Sequence, residues 1–145
     1  MAARRRWAAA AAALALVSLA GCGDLSRAEL SRGVESLSAN AAQGGLIAGG
    51  IADDETKQTY ARVMSRTLGE QAEHESEKLA DAHPAPSVAD ERDAAVRIAA
   101  DLADLYSVLQ TFPGDEEHGA AVQRRMHEVA DKAEALVERL GGDAG

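Results

Sequence analysis

The sequence predicts an all-α protein, an antiparallel up-down four-helix bundle. Three observations carry that prediction. Apolar and small residues recur in alternating steps of four and three along most of the chain beyond residue 25. No segment alternates apolar and polar residues with a period of two, so no strand is predicted. Clusters of Gly, Pro and Asp interrupt the pattern, and the connections they leave are short enough to make successive helices antiparallel neighbours. A length of 145 residues suits a single domain.

The first helix is predicted over about Leu25–Ala48. Ser26 and Glu29 form a Ser-x-x-Glu capping box at its start, and Leu30, Val34, Leu37, Ala41, Gly44 and Ala48 form its stripe. Gly44-Gly45 should weaken its end, since each interior Gly costs about 1 kcal/mol relative to Ala. The Gly-rich run from Gly44 to Gly50 therefore reads as an interhelical corner with Ile47 and Ile51 exposed on it. It lacks the Gly-Lys-Ser/Thr of a phosphate loop. Asp53 and Asp54 read as capping residues of a second helix that runs to about Ala82, with Tyr60, Met64, Leu68, Ala72 and Leu79 on one face. His83-Pro84-Ala85-Pro86 ends it, because a residue before Pro avoids the α region. Ser87-Val88-Ala89-Asp90 is a further capping signal. The third helix carries Ala95, Ile98, Ala99, Leu102, Leu105, Tyr106 and Leu109 on one side, and Phe112-Pro113-Gly114-Asp115 closes it. The fourth has the most regular stripe, Val122, Met126, Val129, Ala133, Leu136 and Leu140, before Gly141-Gly142. The bundle thus occupies residues 25–142, with 143–145 as a tail. Its inward positions are often Ala or Gly, so the core is thin and the helices can approach closely. A first helix packed loosely on a three-helix core is the alternative arrangement.

The N-terminus has another character. Arg4, Arg5 and Arg6 precede an apolar run from Ala8 to Ala20, and Gly21-Cys22 follows. A basic region, a short apolar stretch and small residues describe a secretory signal. The apolar stretch is too short to span a bilayer, which takes about 20 residues. Leu19-Ala20-Gly21-Cys22 resembles the lipobox of bacterial lipoprotein precursors, and Cys22 is the sole cysteine of the chain. The resemblance covers only this N-terminal segment. It implies cleavage between Gly21 and Cys22 and a diacylglyceryl group on the Cys22 sulfur. Two acyl chains give stable anchoring where one gives marginal binding. Residues 22–24 would be the tether. Removing residues 1–21 takes away three arginines and no acid, so the formal charge moves from −9 to −12.

That charge argues against nucleic acid, which requires a basic face. A single cysteine excludes a disulfide framework and a Cys-rich metal site. Glu70, Glu73, His74, Glu77 and Asp81 share one face of the second helix. Like charges at i,i+4 and acids near a helix C-terminus both work against helix stability. The row is a candidate metal site for a divalent cation; it also fits the solvated face of an acidic protein. Glu75 lies on the Tyr60–Met64–Leu68–Leu79 side of the second helix, where it is either buried as a functional acid or sits at the stripe edge and reaches water. His83 lies in the linker and His118 and His127 on the fourth helix, with no ligand spacing among them; His118 reads as a cap residue and His127, Arg124 and Arg125 as solvent-facing. No catalytic constellation and no haem-attachment motif appears, and no cofactor is predicted. The expectation is a non-enzymatic lipoprotein on the outer face of a bacterial cytoplasmic membrane, with another envelope protein as partner and Ile47 and Ile51 as partner-binding residues. The alternative is cation or small-ligand binding by the acidic helix face.

Overall fold

A computed structural model describes residues 23–142. Four helices account for most of them: α1 Arg27–Ala52, α2 Gln58–Asp81, α3 Ala89–Thr111 and α4 Glu116–Gly142. A single 3-10 turn, Pro86–Val88, leads into α3. No strand is present among the described residues. The fold is the predicted antiparallel up-down bundle. α1 runs antiparallel along α4, from Gly49 facing Gln123 to Glu35 and Ser38 facing Glu134 and Glu138. α2 runs antiparallel along α3, from Gly69 facing Tyr106 to Leu79 and Ala80 facing Arg92. α1 therefore packs fully into the bundle and is not a loose arm.

The α1 start is as the sequence predicts. Ser26 caps it, its hydroxyl accepting from the Glu29 N–H while the Glu29 carboxylate accepts from the Ser26 N–H at 2.9 Å. The Ser26 hydroxyl donating to the same carboxylate, with the Ser26 N–H beside it, holds Glu29 below the usual carboxylate range.

The end of α1 differs from expectation. The helix continues through Gly49-Gly50 to Ala52 and does not stop at Ala48. Its glycines are contact positions. A Cβ on Gly44 would lie 2.9 Å from Tyr106 Cζ, and one on Gly119 of α4 would lie 2.8 Å from the Ala52 backbone nitrogen and 2.9 Å from the Ala48 carbonyl oxygen. Close approach of α1 to α4 outweighs the local cost of glycine in a helix. The residues expected to cap α2 end α1 instead. Asp53 is its C-cap, and Asp54 takes a left-handed conformation, φ 54°, which Asp tolerates better than most residues. The Glu55 and Thr56 N–H groups both donate to the Gly50 carbonyl. α2 then starts at Gln58 with no side-chain cap, as does α3 behind Val88.

Tyr106, fully buried, is the largest side chain of the core. Gly44 on α1 and Gly69 on α2 leave it room; a Cβ on Gly69 would lie 3.2 Å from its Cβ. The predicted stripes of α1 and α4 are buried throughout, and that of α3 is buried except for Leu105, which is partly covered. The stripe of α2 is rotated from expectation. Ala61, Ser65, Leu68, Gly69, Ala72 and Leu79 face inward, while Tyr60 is exposed and Met64 is half-buried. α2 lies so close to α3 that small residues occupy the contact, which moves the larger Tyr60 and Met64 outward.

Both ends of the bundle are defined. At one end, Leu25 is tied to the α2–α3 connection by Leu25 N–H to His83 O at 2.6 Å and Ala85 N–H to Leu25 O at 3.3 Å. At the other lie the α1–α2 and α3–α4 corners. These are the near and far ends relative to residue 22. No described helix is long and apolar enough to cross a membrane.

Candidate functional site

Gly21 and Cys22, where cleavage and lipidation are expected, lie outside the described residues, as do residues 143–145. The described chain emerges with Gly23 and Asp24 exposed beside the near end.

The acidic row of α2 also ends near that end. Glu70, Glu73, His74, Glu77 and Asp81 are all exposed, but the bundle divides them. His74 faces the α1–α2 seam with Asn40, Gln43, Gln71 and Glu75. Glu73 and Glu77 border the α2–α3 seam with Asp104. Among the described residues, no group of three His, Cys, Asp or Glu side chains could hold a metal ion. A shared helical face brings side chains into one row, and the two neighbouring helices then split that row between two grooves. Glu75 is largely covered, its side chain 16% exposed. It lies over Gly33, where a Cβ would meet its Oε1 at 2.9 Å, and pairs with Lys78 Nζ at 3.4 Å.

Beneath the α1–α2 seam sits a buried polar node. The Tyr106 hydroxyl donates to the Asn40 carbonyl at 2.7 Å, and Asn40 Nδ2 donates to the Leu68 carbonyl at 3.2 Å. Burial pushes the Tyr106 phenol far above its ordinary range, a weaker opposing effect coming from the Gly44 N–H. Asn40 is 8% exposed, and its Oδ1 has no hydrogen-bond partner. A buried acceptor left unpaired is costly. This node could not be read from the sequence, because Asn40 occupies a polar position between two stripe residues.

The far end corrects the partner assignment. Ile47 is 7% exposed and Ile51 2%, so neither is available to a partner. Both fall inside the lengthened α1, where Ile51 packs against Gly119 of α4. Leu46, 78% exposed, takes the outward position that the corner reading gave to Ile47. Tyr60, Val63 and Phe112 are the other exposed large hydrophobic residues among those described, and all four belong to the far half of the bundle. Phe112 stacks on the His118 ring with centroids 4.0 Å apart. Asp115 caps α4, accepting from the His118 N–H at 2.8 Å, and lies equally close to His118 Nδ1. The backbone hydrogen bond from His118, with help from its side chain, lowers the Asp115 pKa. His118 is thus the cap-region residue expected, and Arg124, Arg125 and His127 are solvent-facing as expected, Arg125 pairing with Glu128 at 2.7 Å. Leu46 and Val63 carried no sequence signal of their own, since single apolar residues off a stripe are common on protein surfaces. Compared with known proteins, the chain matches no family model, no curated protein and no solved structure.

Proposed function

We propose that this chain is a lipid-anchored, non-enzymatic interaction module of the bacterial envelope. Residues 1–21 direct export and are removed, and Cys22 holds a diacylglyceryl anchor on the outer face of the cytoplasmic membrane. The bundle presents its far end to another envelope protein. The lipobox Leu19-Ala20-Gly21-Cys22 supports the anchor. One observation carries the partner surface: the four exposed large hydrophobic residues of the described chain, Leu46, Tyr60, Val63 and Phe112, all lie in the half remote from residue 22. Their confinement to one half of the bundle is what favours that half as the contact surface.

Capture of the partner by the membrane-extracted protein tests this reading. Leu46→Ser, Tyr60→Ser and Val63→Ser together should abolish capture, while Glu73→Gln with Glu77→Gln should leave it intact. All five positions are exposed, so folding should be unaffected. The reverse ranking would move the functional surface to the acidic face of α2.

A second reading, cation or small-ligand binding, draws on Asn40. Asn40, whose buried Oδ1 is unpartnered, lines an open groove of about 290 Å³ together with His74 and Glu75. Calorimetric titration with calcium and zinc tests it. Binding heat lost in His74→Ala would favour this reading, and the absence of heat at millimolar metal would remove cations from it.

A further inference from the structure

We propose that the seam between α3 and α4 docks on the phosphate headgroups of an anionic phospholipid surface. An open groove of about 510 Å³ runs along this seam. Its apolar lining is Ala94, Ile98 and Ala100 of α3 and Ala135 of α4. Its rim is basic, formed by Arg97, Lys132 and Arg139. All three cations are exposed, and none forms an ion pair with another described residue. One carboxylate, Asp101, borders the groove without pairing with any of them. The whole chain carries 24 acids against 15 lysines and arginines. In so acidic a protein, three unpaired cations lining one groove beside a single carboxylate are a local excess of positive charge.

The groove belongs to the near end. α3 begins and α4 finishes beside the connection that holds Leu25. At about 1.5 Å per residue, Arg139 lies roughly 5 Å from the end of α4 and Arg97 roughly 12 Å from the start of α3. This placement rests on the anchoring reading, because an anchor at Cys22 is what sets the near end beside lipid. A phosphodiester suits the rim. Arginine forks can grip its oxygens in pairs, and lysine adds a compact charge. The glycerol and first methylenes would rest on Ala94, Ile98 and Ala135. An acidic domain is otherwise repelled by an anionic leaflet, so the groove selects which face of the bundle leans on the membrane.

The test uses residues 22–145 with Cys22→Ser, which retain the whole described core and carry no lipid, so its outcome does not depend on the anchor. Co-sedimentation is measured with vesicles of phosphatidylcholine alone and of equimolar phosphatidylglycerol and phosphatidylcholine. The protein should favour the anionic vesicles. Each of Arg97→Gln, Lys132→Gln and Arg139→Gln should weaken that binding about fivefold, and the triple variant should bind no better than to phosphatidylcholine. A control triple, Arg62→Gln, Arg66→Gln and Arg124→Gln, removes the same charge from the far half and should change little. Circular dichroism confirms that both triples fold. Three results would overturn the proposal: equal binding to both vesicle types, or to neither; equal losses in the two triples; or a dimer in solution that the groove triple breaks, which would assign the seam to a second copy.

Discussion

Adding one methyl group at each of two glycines of the α1–α4 contact should shift stability in opposite directions. Gly45 and Gly119 are both helical and buried. A Cβ on Gly45 would meet Met126 Cβ and His127 Nε2 at 3.8 Å, an ordinary contact. Gly45→Ala then gains the helix preference of Ala over Gly, about 1 kcal/mol, with no steric penalty. A Cβ on Gly119 would lie 2.8 Å from Ala52 N and 2.9 Å from Ala48 O. These are backbone atoms, so relief requires the end of α1 and the start of α4 to move apart. Overpacking of this kind costs about 1–3 kcal/mol, and the backbone contacts put Gly119→Ala toward the upper end of that range. It exceeds the propensity gain. For a domain of this size, 1 kcal/mol corresponds to about 3–6 °C in Tm. Thermal melts by circular dichroism should therefore show Gly45→Ala melting about 3–6 °C above the parent and Gly119→Ala about 3–10 °C below it. A Gly119→Ala protein that melts at or above the parent would refute the close approach of α4 to the end of α1.

Other substitutions have equally definite outcomes. Leu136, fully buried on α4, should cost about 2–5 kcal/mol when changed to Ala, measured by denaturant unfolding. The Tyr106 pKa is raised in the folded state by burial, so its contribution is complete below the ordinary phenol value of about 10 and is lost as pH rises beyond it. Tyr106→Phe should therefore flatten the alkaline limb of the stability profile, and should cost about 0.5–1.5 kcal/mol at neutral pH for the lost bond to Asn40. The Asp115 pKa is lowered by the His118 N–H, so its contribution is present above the ordinary Asp range and is lost as pH falls through the folded value. Asp115→Asn should make the acid limb shallower in equilibrium unfolding; an unchanged acid limb would contradict the cap.

The regular stripes were legible because burial repeats with the helical period. Leu30, Val34 and Leu37 on α1 and Val122 through Leu140 on α4 could be placed inward from spacing alone. Glycine carried the opposite meaning to the one its local preference suggests. Gly44, Gly45, Gly49 and Gly50 read as the end of a helix, yet they lie within α1. The first three are buried positions, and Gly50 leaves room for the Thr56 side chain. Only the position of the neighbouring chain decides between the two, and a single sequence does not record it. The misplacement of Ile47 and Ile51 followed directly: a helix ending at Ala48 leaves them on a corner, and one ending at Ala52 turns them inward. Tyr60 was misplaced for a related reason. Size suggested the stripe Tyr60–Met64–Leu68, but the close α2–α3 contact favours the smaller Ala61, Ser65 and Gly69. The acidic row was legible as a row. Its division between two seams was not, because that depends on where α1 and α3 lie beside α2.

The anchored-module account is tested most directly by the intact mass of the protein extracted with detergent from the membranes of the cells that make it. The account predicts one species that begins at Cys22 and exceeds the mass of residues 22–145 by a diacylglyceryl group, with or without a further acyl chain. It also predicts that Cys22→Ser removes the added mass and releases the protein from the membrane fraction. An extracted protein retaining residues 1–21, or cleaved elsewhere and without lipid, would contradict it.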